Sequence, residues 1–194
     1  MSGVHLAEAL RALRDWRDDR TIIVTTMGAA REWMALGALH PLDFVLVPSS
    51  MGQASSLGLG LALARPDLRV IVVNGDGSLL MNLGTLVTIA AARPANLWMV
   101  VAVNGVYEVT GAQPTPGSLA GTDLATVARG CGWDHVITCT SQEAWHQALT
   151  WPSGTNGPRL TVLETAVTPG GVGPRSPGKA GPRAAAFGRA VAAI

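Results

Sequence analysis

Six short runs of apolar, largely β-branched residues punctuate the chain: 21-TIIVTT-26, 42-LDFVLV-47, 69-RVIVVN-74, 97-LWMVVAV-103, 134-DHVITC-139 and 159-RLTVLETA-166. Runs that are apolar throughout, rather than at alternate positions, suit strands buried on both faces. Ala/Leu/Gly-rich stretches of helical length separate most of them, at 28–39, 52–64, 78–92, 120–130 and 142–150. An amphipathic segment over 5–19, with Leu6, Leu10, Leu13 and Trp16 at helical spacing, precedes the first run. Strand alternating with helix in this way predicts an α/β fold, a three-layer sandwich around a mainly parallel sheet of about six strands. The length fits a single domain, 1–194. Within it the Gly/Pro-rich stretch 169–183 is expected to be irregular, followed by a short Ala-rich helix carrying Phe187.

Composition excludes several classes of function. The net charge of +1 gives no electrostatic case for nucleic acid or an anionic membrane. No apolar run approaches the ~20 residues that span a bilayer. Two cysteines, Cys131 and Cys139, supply neither a disulfide framework nor a zinc site. With Glu8, Arg11, Arg14 and Asp15, the first residues do not read as a signal peptide, so a soluble, cytoplasmic protein is expected. Charged residues make up only 14%, a balance that suits burial of further area against a partner.

Ligands of open parallel sheets bind at the carboxyl ends of the strands. Here those ends read 25-TTMG-28, 48-PSSMGQAS-55, 74-NGDGS-78 and 104-NGVYEVTGAQPT-115. In 75-GDG-77 the two glycines permit a tight turn and close approach of a ligand. Ser78 falls where a helix is expected to begin, a position suited to phosphate. Asp76 offers magnesium a hard carboxylate, and magnesium favours one or two carboxylates plus phosphate oxygens. A helix and a strand later, Asn104 ends the next run, which places it beside Asp76; the Val106 carbonyl could add a third oxygen. A dinucleotide fingerprint fails because Leu80 stands at its last glycine, and a phosphate-binding Walker loop fails because the only Lys is Lys179. A GDG alone is a common turn, but followed at this distance by a strand-terminal Asn it is far more specific.

That pattern resembles the cofactor motif of thiamine diphosphate-dependent 2-oxo acid decarboxylases. From 48-PSSMGQASSLGLGLALARPDLRVIVVNGDGSLLMNLGTL-86 to 104-NGVYEVTGAQPT-115 the likeness is to the C-terminal half of phosphonopyruvate decarboxylase and the β subunit of sulfopyruvate decarboxylase. The resemblance implies that Asp76, Asn104 and the Val106 carbonyl hold magnesium, and that Gly77 and Ser78 hold the diphosphate, with Gly75 among the cofactor-binding residues. Met51 takes the place of the apolar residue that wedges under the thiazolium. The Ser49 carbonyl would face the pyrimidine amino group beside Ser50, while Thr26, Met27 and Gly28 line the diphosphate or pyrimidine side. Gly111, Gln113 and Thr115 match a loop at the mouth of the site. Tyr107 stands where relatives often carry His and could contact substrate or diphosphate, or simply pack. Many relatives have Asn-Asn where this chain has Val103-Asn104, so only the second Asn is kept.

In such enzymes a Glu beside the pyrimidine activates the cofactor, and it lies on a separate pyrimidine-binding domain. Glu32, Glu143 and Glu164 are expected away from the strand ends, and Glu108 next to the metal. A partner subunit is therefore expected to supply that Glu within a homo- or hetero-oligomer. The implied reaction is decarboxylation of a short anionic 2-oxo acid, with Arg31 as one candidate for its head group. A carboligase half-enzyme and a non-catalytic cofactor-binding subunit are the alternatives. His5, His40, His135 and His146 fall outside the motif loops, and Trp33, Trp98 and Trp145 read as core or interface anchors.

Overall fold

The computed structural model describes residues 3–46, 51–150, 156–168 and 176–194. The chain runs α1 (Leu6–Trp16), β1 (Thr21–Thr26), α2 (Met27–Ala35), β2 (Asp43–Leu46), α3 (Ala54–Ala64), β3 (Arg69–Gly75), α4 (Asp76–Leu80) and α5 (Gly84–Ala92). It continues through β4 (Leu97–Val103), β5 (Val106–Tyr107), β6 (Gln113–Pro114), α6 (Pro116–Ala120), α7 (Leu124–Gly130), β7 (His135–Cys139), α8 (Gln142–Leu149), β8 (Arg159–Glu164) and α9 (Ala180–Ala192). Six strands form one sheet in the order β2-β1-β3-β4-β8-β7, every neighbouring pair parallel.

Each strand feeds two cores. Ile22, Val24, Val70, Val72, Met99 and Val101 point to one face, where α3, α5, α7 and α9 cover them. Ile23, Ile71, Val73, Trp98 and Val100 point to the other, beneath α1, α2 and α8. This two-sided burial explains why the runs are apolar without alternation. The tryptophans on the second face are core residues, as Trp98 packs 5.7 Å from both Trp16 and Trp145. Three of their indole N–H groups are bonded: Trp145 donates to the Ala9 carbonyl, Trp98 to Thr161 Oγ1 and Trp33 to Asp43 Oδ2.

The topology selects one edge for ligands. From β1 the chain crosses through α2 on one face to β2, then returns through α3 on the other face to β3, on the far side of β1. The direction of winding therefore reverses at β1 and β3, which opens a crevice at their carboxyl ends.

Three local expectations need correction. The helix expected over 78–92 is two helices, with Met81, Asn82 and Leu83 as a break between them. Its first turn starts at Asp76, so GDG opens a helix instead of forming a free turn. The loop over 104–121 is organised: β5 and β6 pair antiparallel, and α6 starts at Pro116 with Thr115 Oγ1 accepting from the Ser118 N–H. Within the stretch 169–183, residues 169–175 lie outside the described residues, and α9 already begins at Ala180. Pro182 sits in the first turn of α9, where its missing N–H costs no helical hydrogen bond. Among the described residues no helix is long and apolar enough to cross a membrane.

Two glycines of α3 test the packing with opposite signs. A Cβ on Gly58 would lie 2.2 Å from Cγ2 of fully buried Val72, whereas Gly60 faces open space. We expect Gly58→Ala to lose about 1–3 kcal/mol of stability to overpacking. Gly60→Ala should instead gain up to about 1 kcal/mol from helix propensity. Urea denaturation of the full chain measures both.

Candidate functional site

At the switch point the structure gathers residues from three strand ends into one cleft: Met27 and Gly28 after β1, Gly75–Ser78 after β3, and Asn104, Val106 and Tyr107 after β4. Met51, which leads into α3, lines the same cleft. Gly75 pairs with Ala102 in the ladder, so Asp76 and Asn104 leave adjacent strands almost level with each other. The backbone N–H of Gly105 donates to Asp76 Oδ2 at 3.1 Å, and Asn104 Oδ1 accepts from the Val106 N–H at 3.0 Å. Thr115, expected at the mouth, is buried behind the carboxylate, where its hydroxyl donates to Asp76 Oδ2 at 3.3 Å.

Asp76 itself is buried. Burial pushes its carboxyl above the ordinary aspartate range, although N–H groups of Gly77 and Gly105 and the Thr115 hydroxyl pull the other way. Desolvation wins, and a divalent cation beside the carboxylate would reverse that balance. The donors present are hard oxygens of a carboxylate and an amide, the chemistry magnesium takes alongside phosphate oxygens. Met27 and Met51 add apolar surface next to this polar edge. The residues therefore fit an amphipathic cofactor with a diphosphate tail and an aromatic body.

Two backbone details shape the cleft. Met27 adopts φ +54°, a left-handed conformation that costs a non-glycine residue about 1–2 kcal/mol. The ring of Tyr107 lies on the first turn of α4, so a Cβ at Gly77 would meet its Cε1 at 2.4 Å. Gly77 is required for that contact. Ser78 is buried, and its Oγ accepts the Gly52 N–H at 3.0 Å while keeping its own proton to donate.

Not every expected residue reaches the cleft. Thr26 is fully buried with an unpartnered hydroxyl, and it does not line the opening. Gly111 and Gln113 are exposed, and the Gln113 amide turns back to the Thr110 carbonyl. Arg31 does not line the cleft, and neither do His5, His40, His135 or His146. Ser49 and Ser50 lie outside the described residues.

The glutamates depart most from expectation. Glu32 is buried and lines the cleft, because α2 starts directly at the strand end and its second turn stays within reach. Spacing relative to Gly28 and Ala29 could have found it, given the helix start. Glu108 also lines the cleft, accepting the Thr168 N–H at 2.6 Å, with Oε2 3.5 Å from where a Gly28 Cβ would be. Glu164 ends β8 and is exposed, bordering a second hollow behind Asp76 and Asn104. Glu143 is exposed on α8.

The elevated Asp76 carboxyl makes a prediction about stability without ligands. The folded chain holds that proton more tightly than the unfolded chain, whose aspartate value is 3.8. Its contribution to stability therefore falls as pH rises from 3.8 through the higher folded value. Asp76→Asn should stabilise the metal-free chain at pH 7, with the advantage shrinking as pH drops toward 3.8. Thermal denaturation across a pH series without divalent cations gives the answer, and an advantage that grows in acid would contradict it.

Comparison with known proteins agrees with this geometry. Residues 25–163 match the family described as "Thiamine pyrophosphate enzyme, C-terminal TPP binding domain". Phosphonopyruvate decarboxylase of Streptomyces viridochromogenes is 39% identical over 170 residues, covering 85% of this chain and 40% of that protein. Sulfopyruvate decarboxylase subunit beta of Methanothermobacter thermautotrophicus is 40% identical over 142 residues, covering 73% of this chain and 74% of that subunit. The Methanococcus maripaludis subunit of the same name is 33% identical, with 81% and 82% covered. The chain thus spans about two fifths of the phosphonopyruvate decarboxylases it matches. In structure, a thiamine diphosphate-dependent 4-hydroxybenzoylformate decarboxylase of Rhodococcus jostii RHA1 superposes with TM-score 0.72 at 20% identity, over 87% of this chain and 34% of that one, a likeness of fold. The chain belongs to the family of C-terminal thiamine pyrophosphate-binding domains of thiamine pyrophosphate enzymes.

Proposed function

We propose that this chain is the diphosphate-binding, β-type subunit of a thiamine diphosphate- and magnesium-dependent decarboxylase. Its substrate would be a short anionic 2-oxo acid such as phosphonopyruvate or sulfopyruvate. One observation carries the reading: Met51, the GDG-Ser turn and the Asn104–Tyr107 segment meet in one cleft at the switch point. The names of the similar decarboxylases support the substrate class.

In this reading Asp76 Oδ, Asn104 Oδ1 and the Val106 carbonyl hold magnesium, and Gly75, Gly77 and Ser78 hold the diphosphate through backbone N–H groups and a hydroxyl. Met27, Gly28 and Met51 form the wall against the rings, with Thr26 supporting that wall from beneath and Ser49 and Ser50 beside the pyrimidine. Tyr107, the only tyrosine of the chain, is the phenol we assign to the substrate side of the cleft. When bound, thiamine diphosphate would supply a nucleophilic carbon for the substrate carbonyl and a thiazolium ring that takes up the electron pair left by loss of carbon dioxide. The chain's own residues orient that group, exclude water with methionine and valine side chains, and neutralise its tail through the metal. A pyrimidine-binding partner in an oligomer would supply the activating Glu, and we assign the assembly to the cytoplasm.

Glu32 and Glu108 on the cleft wall favour one competing arrangement, in which the activating carboxylate belongs to this chain. Decarboxylation of phosphonopyruvate and sulfopyruvate, assayed with thiamine diphosphate and Mg²⁺ with and without the partner, separates the two. We expect turnover only in the presence of the partner. Robust turnover by the purified chain alone would remove the partner requirement and point to these two glutamates. Product analysis with an added aldehyde distinguishes a carboligase, and cofactor binding without turnover in every partnered state would mark a non-catalytic subunit.

A further inference from the structure

Gly52 is gripped through both of its peptide groups. Its N–H donates to Ser78 Oγ at 3.0 Å, and its carbonyl accepts from Asn82 Nδ2 at 3.0 Å. Its φ is +79°, and a Cβ would stand 3.1 Å from the Asn82 Cβ and 3.4 Å from the Met81 Cβ. Only glycine combines that conformation with so close an approach. The two gripping side chains have different positions: Ser78 lines the cleft, whereas Asn82 lies outside it, in the break between α4 and α5. The residue next to Gly52 is Met51, which does line the cleft.

We propose that Ser78 and Asn82 form a clamp on Gly52 that fixes Met51 in the cleft, making Asn82 a positioning residue for the ring end of the cofactor. The inference rests on the cofactor reading above, in which Met51 supports the rings. A methionine has three rotatable side-chain bonds and adapts to whatever surrounds it, so it can act as a firm support only if its backbone is held. The clamp does this from α4, which also bears Asp76, and from the break that follows it. The turn that meets the diphosphate and the residue that meets the rings therefore share one rigid reference. Asn82 lies in the helix break, and its side-chain amide is directed to another segment.

Asn82→Asp preserves size but sets a carboxylate oxygen against the Gly52 carbonyl, and Asn82→Ala removes the group. In the full chain, either change should speed hydrogen exchange at the Gly52 amide while the amides of α5 keep their protection. Thiamine diphosphate with Mg²⁺ should bind roughly 3- to 10-fold more weakly, the range expected from one lost hydrogen bond. Pyrophosphate with Mg²⁺, which can make only the tail contacts, should bind as it does to the unaltered chain. Added to Met51→Ala, Asn82→Ala should cost no further affinity, since both act through one contact. Equal weakening for pyrophosphate, additive losses with Met51→Ala, or unchanged Gly52 exchange would each overturn the clamp. If the unaltered chain binds neither ligand, alone or with its partner, it is the cofactor reading that fails, and Gly52 exchange then decides the clamp by itself.

Discussion

The contact between the Asp76 carboxylate and the N–H of Gly105 joins the ends of two adjacent parallel strands, and the rest of the site is arranged around it. Thr115 completes the tie from behind: its hydroxyl donates to the same carboxylate oxygen and accepts the Ser118 N–H of α6, and its own N–H reaches the Gly105 carbonyl. The 104–115 segment is thereby folded back onto β3. Without that return, Asn104, Val106 and Tyr107 would sit on a long surface loop with no fixed relation to the GDG turn. Loops held in this way carry chemistry because the scaffold beneath them does not move.

Holding a carboxylate so deep has a cost, and the balance of effects shows where it falls. Hydrogen bonds from the Gly77, Gly105 and Asp76 N–H groups and the Thr115 hydroxyl favour the charged form of Asp76, yet burial outweighs them and the carboxyl is pushed upward. A fold selected only for stability would place an amide or an apolar residue there. The charge makes sense if a cation is bound in the working state, since a ligand that binds only the folded chain returns stability in proportion to its saturation. Desolvation of the carboxylate and affinity for a divalent ion are then two aspects of one placement.

The sheet was legible in the sequence because burial on both faces leaves a plain signature, an unbroken apolar run such as 69-RVIVVN-74. The pairing of Asp76 with Asn104 was legible for a geometric reason, since a helix and a strand between them return the chain to the same edge. Glu32 was not, because its direction depends on the residue at which α2 begins, and an uncertainty of two residues turns a helical side chain by about half a circle. The break at Met81–Leu83 was also hidden. Met, Asn and Leu are all compatible with a helix, and the Asn82 amide is directed by Gly52, thirty positions away in sequence. Two-residue strands such as β5 and β6 have no periodicity to read.

Met27 brings these considerations together. Its left-handed backbone is unfavourable for any residue with a Cβ, and glycine would relieve it. It persists because both flanking elements are already committed: Thr26 is the last residue of a fully buried strand, and Ala29 and Ala30 pack α2 against the second core. The strand and the helix dictate the angle between them, and the single residue at the junction absorbs it. Strain tolerated at the mouth of a ligand cleft is a common sign that the side chain there is needed. The same logic applies to Gly77, where a ring from the neighbouring strand end occupies the space a side chain would take. Backbone conformation and residue size at the switch point are thus set by what must converge there, while the stability that supports them comes from the two apolar cores on either side of the sheet.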